Sequence, residues 1–177
     1  MDQKLTPLKT IDFDLFYHLM KCSFPVAEFR PRSKERQLLN QANFTVLTRY
    51  DLSGKKIDGF IAEWSFSDFL FLEHFAVDPN LRGRGIGSTL LSNYLEQAKK
   101  TVLIEVESPT TDLAVRRIHF YERLGFSLST FGYVQPDLGQ TGDHIDLLMM
   151  QYPNSLTEQD FKKRKKEIFQ TVYGVEN

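Results

Sequence analysis

The residues most able to do chemistry sit where an apolar run gives way to a helix. Residues 69 to 77 are almost continuously apolar and stop at Asp78-Pro79, the mark of a buried strand closed by a turn. Ile86, Leu90, Tyr94 and Ala98 then recur every four residues, with Leu91 and Leu95 widening the stripe, as in a helix packed on a sheet. Between them Gly83, Gly85 and Gly87 alternate beside Arg82 and Arg84. Glycines let a backbone approach a ligand closely, and the free N–H groups that open a helix bind phosphate. A mononucleotide loop would need a Lys after its glycines, and none lies near. A dinucleotide fingerprint needs Gly-x-Gly-x-x-Gly/Ala. Gly83 and Gly85 fill two of its three places and Ser88 stands at the third, with Glu105 roughly twenty residues on, where a ribose partner is wanted.

A third pattern, Arg/Gln-x-x-Gly-x-Gly/Ala, is filled at every position by Arg82, Gly85 and Gly87. It resembles the pyrophosphate loop of the GCN5-related N-acetyltransferase (GNAT) superfamily, whose loop amides hold the diphosphate of acetyl-coenzyme A. That superfamily's usual phrase is an apolar strand ending in Ala-Val, then Asp-Pro, then Arg-Gly-x-Gly-Ile-Gly and an amphipathic helix. It is matched without a gap from Phe75 to Leu91. The resemblance implies an acetyl-coenzyme A site made of Arg82, Gly83, Arg84, Gly85, Ile86, Gly87 and Ser88, with Phe75, Ala76 and Val77 contributing backbone amides and carbonyls. The run Phe120-Tyr121-Glu122-Arg123-Leu124-Gly125-Phe126 resembles the second hallmark, Leu-Tyr-x-x-x-Gly-Phe, and places Tyr121 near the coenzyme A sulfur as general acid. Ala114 and Arg117 stand where members often carry Asn-x-x-Ala, and residues 109 to 112 are extra. Ile104-Glu105-Val106 is similar to the Leu-Glu-Val run whose Glu is the base in the branch acetylating protein N-termini. Glu105 is therefore the first candidate base, and Glu73, on the other strand of the cleft, the second.

The elements that must position these groups read as follows. A short edge strand is expected at 5 to 9, then a helix from 11 to about 23 with Ile11, Leu15, Phe16 and Leu19 inward. After a link bracketed by Pro25 and Pro31, Ser33 should cap a helix to about 42 that buries Leu38 and Leu39. Strands at 44 to 50, 57 to 66 and 69 to 77 follow one another through short turns as an antiparallel meander. A dinucleotide fold would put its glycine turn after the first strand of a βαβ unit. Here the turn follows hairpins and opens the first crossover, which favours the acetyltransferase reading. The β-branched strand 101 to 107 should pair in parallel with 69 to 77. A helix from about 112 carrying Leu113, Val115, Ile118, Phe120, Tyr121 and Leu124 should stop at Gly125. Strands 127 to 134 and 144 to 152 flank a loop with Pro136, Gly139 and Gly142, and a final helix, about 157 to 173, buries Phe161, Ile168, Phe169 and Val172. Its basic run, 162 to 166, reads as a solvated face.

At 177 residues and 41% hydrophobic content the chain suits one domain, 1–177, with its core motifs at 69–126. The expected class is α/β, or α+β: the GNAT acyl-CoA N-acyltransferase fold, a mixed, mostly antiparallel sheet with helices on both faces. A net charge of -1 gives no overall pull toward nucleic acid or membrane, and a single Cys excludes an internal disulfide framework. No signal sequence or spanning segment is evident, so a cytoplasmic location is expected. His18, His74, His119 and His144 lack metal-ligand spacing, and no metal is expected.

The function this implies is transfer of acetyl from acetyl-coenzyme A to a primary amine of a small molecule or peptide, directly within a ternary complex. The alternatives are a non-catalytic acyl-coenzyme A sensor and an acetyltransferase of protein N-termini or lysines. A homodimer is compatible with the chain. The acceptor site should be shaped by residues 20 to 42 and the loop 134 to 144, with Phe24, Phe29 and Tyr133 as apolar surface and Glu28, Asp137 and Asp143 as groups that could receive a cation.

Overall fold

The computed structural model describes residues 4–139 and 141–175. Seven strands form one sheet: β1 (Thr6–Pro7), β2 (Phe44–Tyr50), β3 (Ile57–Ser65), β4 (Phe69–Val77), β5 (Thr101–Glu107), β6 (Ser127–Gln135) and β7 (Ile145–Tyr152), in the order β1-β2-β3-β4-β5-β7-β6. Among the described residues only β4 and β5 run parallel. The helices are α1 (Phe13–Ser23), α2 (Arg32–Leu38), α3 (Ile86–Gln97), α4 (Asp112–Glu122) and α5 (Glu158–Ile168), the last running on into a π-helical turn, Phe169–Tyr173. The meander is held by its turns: the Asp51 carboxylate accepts the N–H groups of Lys55 and Lys56 at 2.9 and 3.1 Å.

The sheet is apolar on both faces, and each face carries helices. On one side Phe13, Phe16 and Met20 of α1 and Phe161 and Ile168 of α5 join Phe60, Trp64, Phe71, Leu103 and Met149. On the other, Leu91, Tyr94 and Leu95 of α3 and Ile118 of α4 cover Ile61, Leu72, Val102, Ile104 and Met150.

The parallel pairing runs only from Phe69↔Thr101 to Leu72↔Ile104. Beyond it β4 continues to Val77 paired with β3, and β5 continues to Glu107 paired with β7, so the sheet splits between them. The split begins at a bulge. Leu72 faces Glu63 and His74 faces Ala62, which leaves Glu73 as an extra residue in β4. A bulge bends its strand and sharpens the local twist, turning the end of β4 away from β5. It also puts consecutive side chains on one face. Glu73 reaches Arg30 and Trp64, and His74 reaches the Glu28 carbonyl, before Phe75 resumes alternation and stacks on Phe120.

Several expectations are corrected. Ile11 belongs to a 3-10 turn and is 87% exposed, and Leu15 is also exposed; the inner stripe of α1 is Phe13, Phe16, Tyr17, Leu19 and Met20. The helix α2 stops at Leu38, follows Pro31 without a side-chain cap from Ser33, and buries Glu35 completely while Leu38 and Leu39 are half-covered. On α4, Leu113 is exposed and Ala114 takes its place inside, because Thr111 accepts the Ala114 N–H and sets the helix phase. The basic run of α5 is solvated except Arg164, which is buried and donates to Gln151.

Candidate active site

The split is the mouth of a cavity of about 520 Å³. Its walls are β4 from Leu72 to Val77, β5 from Ile104 to Glu107, the glycine join, Arg116, Arg117, Phe120 and Tyr121 of α4, and Phe24 and Glu28 of the link after α1. Of the expected coenzyme residues, Phe75, Ala76, Val77, Arg82, Gly83, Gly85, Ile86, Gly87, Ser88 and Tyr121 line this one space; Arg84 is on the exposed rim of the same turn.

The join is built for close approach. Asp78 accepts from the Asn80 N–H at 2.8 Å and closes a 3-10 turn, and the Arg82 Nε donates to the Val77 carbonyl at 3.3 Å, folding the loop back over the strand end. Gly85 caps α3 in the left-handed region at φ +76°, as does Gly83 at φ +76°. Other residues reach that conformation only with strain. The first α-helical hydrogen bond from this end runs from the Thr89 N–H to the Gly85 carbonyl, so the amides of Ile86, Gly87 and Ser88, which line the cavity, precede the helical ladder. Free amides, the positive helix end and two nearby arginines form an anion cradle that fits a diphosphate.

The two glutamates differ sharply. Glu73 borders the cavity, but its side chain is 1% exposed and fully engaged, with Arg30 Nη1 at 2.6 Å and Trp64 Nε1 at 2.7 Å. Burial is the largest single influence and would raise its pKa, but the Arg30 charge, the neighbouring His74 and the hydrogen bonds from Trp64 and Arg30 together hold it below the ordinary carboxylate value. Glu105 has no cation bonded to it among the described residues. Its Oε1 accepts the hydroxyl of Tyr133 and its Oε2 that of Tyr173 at 2.6 Å, and burial pushes its pKa up to about 7 in spite of both donors. Tyr121 is half-buried and is raised to about 12, again by burial, and among the described residues no protein group hydrogen-bonds its hydroxyl.

At the opposite end the loop after β6 packs on the link. Leu138 is buried, the Gly139 N–H donates to the Ala27 carbonyl at 3.3 Å, and a Cβ at Gly139 would lie 2.0 Å from the Val26 carbonyl oxygen. Only glycine permits that contact. The adjoining Glu28 lines the cavity and is raised to about 7 by burial, with Glu107 adding to it and Arg117 opposing. Arg117 in turn donates to Glu107 at 2.6 Å. Phe24 lies in the wall, whereas Phe29 is buried against Tyr17, Tyr133 is committed to Glu105, and Asp137 accepts loop N–H groups of Thr141 and Gly142.

A split parallel pair with a glycine-rich anion cradle at one lip and a tyrosine beside it agrees with the family comparison, in which residues 13–126 match the model of the acetyltransferase (GNAT) family. The chain belongs to the GNAT family. The GNAT enzyme is similar over nearly its whole length to a solved structure titled "Putative acetyltransferase from GNAT family" from Bacteroides thetaiotaomicron. The two share 32% identity and a TM-score of 0.87, over 98% of this chain and 99% of that one. The Bacillus subtilis (strain 168) protein named "Putative acetyltransferase YjbC" is 24% identical over 89% of this chain and 81% of its own length. The ribosomal-protein-S18-alanine N-acetyltransferase of Escherichia coli shares the fold, at 22% identity and a TM-score of 0.64, over 89% of this chain and 97% of that one. Among the described residues no helix is long and apolar enough to cross a membrane.

Arg30, Trp64 and Tyr173 were not among the residues that the sequence marked for chemistry. Arg30 lies in a proline-bracketed link without a motif, and Tyr173 stands at the end of the last helix, outside the residues expected to be buried there.

Proposed function

We propose that this GNAT enzyme transfers acetyl from acetyl-coenzyme A to a primary amine, with Glu105 as base and Tyr121 as acid. The observation that carries the reading is the placing of Glu105, Tyr121 and the anion cradle around one cavity, with Glu73 withdrawn into an ion pair. Acetyl-coenzyme A would be held by the amides of residues 83 to 88 and by Arg82 and Arg84, with its arm along the unpaired edge of Phe75 to Val77, and would supply a thioester carbonyl.

An ordinary amine with a pKa of ~10 is mostly protonated at neutral pH. Glu105, ionising near 7, accepts the ammonium proton directly or through one water, and the neutral nitrogen then attacks the acyl carbon. As the C–N bond forms and the C–S bond breaks, the departing sulfur takes the Tyr121 proton. The second proton shed by nitrogen restores the phenol. A hydroxyl raised to about 12 is protonated throughout the neutral range, as an acid must be. Glu73, the second candidate base, is assigned instead to holding Arg30.

The acceptor is a small-molecule amine in preference to a protein N-terminus. Link and loop meet at Gly139, next to Glu28, and that end of the cavity offers an amine the Glu28 carboxyl beside the Glu107–Arg117 pair. Calorimetry with acetyl-coenzyme A, NAD and ATP, then thiol release with a panel of amines, peptides and polyamines, tests this. Binding of acetyl-coenzyme A alone and turnover on a small amine are expected. Binding without turnover on any acceptor would favour an acyl-coenzyme A sensor, and turnover confined to peptides would move the acceptor to proteins.

A further inference from the structure

Glu105 is held from two parts of the chain remote from it in sequence. Tyr133 comes from β6, 28 residues away, and Tyr173 from the C-terminal π-helical turn, 68 residues away. Each phenol takes one oxygen, so the carboxylate is gripped at both ends. The turn carrying Tyr173 is itself fixed, because Arg30 Nη2 donates to the Val172 carbonyl at 2.6 Å while Nη1 holds Glu73 at 2.6 Å. One guanidinium thereby ties the acceptor-side link, the bulge of β4 and the C-terminal turn into a single unit behind the base. The aromatic rings complete the setting. Tyr133 meets Phe169 edge to face at 5.3 Å, Phe169 meets Tyr173 the same way at 5.5 Å, and Lys165 of α5 lies over the Tyr133 and Phe169 rings at 5.7 and 5.0 Å.

Resting on Glu105 as the base, we propose that Tyr133 and Tyr173 are positioning residues that hold its carboxylate in the ionised, proton-accepting form, with Arg30 keeping Tyr173 in reach. The physical ground is that hydrogen bonds donated to a carboxylate favour its charged state, and charge-assisted ones are the strong kind. The other charged groups facing Glu105 act less directly: Glu73 from β4 disfavours its ionisation and Arg30 from the link favours it, while Lys165 is turned to the aromatic rings. Burial opposes ionisation more than any of these, so the two phenols are what keep Glu105 within the neutral range. Both tyrosines stay protonated, since burial and the neighbouring carboxylate push their own ionisation far above neutral pH.

The test is a carboxyl ¹³C NMR titration of glutamate-labelled protein, with Glu105→Gln identifying the Glu105 signal, run on wild type, Tyr133→Phe and Tyr173→Phe. Both variants keep the ring and its packing. Each is expected to move the Glu105 midpoint upward by about one pH unit. The acidic limb of kcat/KM, measured with the amine selected by the panel above, should move with it. Midpoints unchanged in both folded variants would overturn the proposal. A midpoint that rises while the rate profile stays in place would retain the tuning and overturn Glu105 as the base.

Discussion

The two lips of the split sheet carry the same functional group and use it differently. On β4, Glu73 is the bulged residue and forms a buried pair with Arg30. On β5, Glu105 keeps regular pairing, opposite Met149, and receives two neutral donors. A carboxylate matched to a guanidinium is fixed in the ionised state and makes a poor proton acceptor. One matched to phenols in a dry setting ionises near neutrality and can exchange its proton. In the proposed mechanism it is the partner rather than the strand position that assigns Glu73 to structure and Glu105 to chemistry.

Breaking the β4 side should give the largest stability effect. Arg30→Met leaves Glu73 buried without its cation and frees the Val172 carbonyl, and should cost about 3 to 5 kcal/mol in urea unfolding. A loss below about 1 kcal/mol would mean that Glu73 finds solvent and is as available as Glu105. On the β5 side, Tyr121→Phe should keep coenzyme affinity and fold while lowering kcat by about 100-fold, because only the proton and hydrogen bond are removed. Kinetics beside calorimetry separates these two readouts, and an unchanged kcat would return Tyr121 to packing.

A smaller effect sharpens the β4 half. Glu35 is fully buried, 3.8 Å from the same Arg30, and neither of its oxygens has a hydrogen-bond partner among the described residues. Burial, then the Glu73 charge, raise it to about 8. A folded pKa above the unfolded value means that the folded state binds the extra proton, so its stability contribution is present at low pH and lost as pH climbs from about 4.5 toward about 8. Glu35→Gln removes that dependence. Its melting temperature should gain on wild type between pH 6 and pH 8 by about 2 to 4 °C, the equivalent of roughly 1 kcal/mol in a chain of this size. A constant gap would show that Glu35 is already solvated.

Much of this was legible before any coordinates. The strands β4 and β5 read with their observed limits because a continuous apolar run bounded by Asp-Pro and Ser-Pro leaves little freedom. Gly83 and Gly85 marked the join where a backbone can approach a ligand closely, and there both adopt the left-handed conformation. What stayed hidden depends on contacts distant along the chain. The Arg30 to Glu73 pair spans 43 residues, and the donors to Glu105 lie 28 and 68 residues away, beyond the reach of any local pattern. The bulge was equally silent, since adding one residue to an apolar strand changes facing without changing composition. The burial of Glu35 was hidden in the same way: its helix was expected to bury Leu38 and Leu39, and the guanidinium beside Glu35 comes from the preceding link.

The most direct test of the central claim is the pH dependence of kcat/KM for Glu105→Gln beside Glu73→Gln, with folding verified by thermal unfolding. Glu105→Gln should lose ~100 to 10,000-fold at neutral pH and recover part of it as pH rises, because the amine then deprotonates unaided. Glu73→Gln should retain the wild-type profile shape even where stability falls. Loss of less than about threefold in Glu105→Gln, or the same pH-dependent recovery in Glu73→Gln, would contradict the assignment of chemistry to the β5 lip.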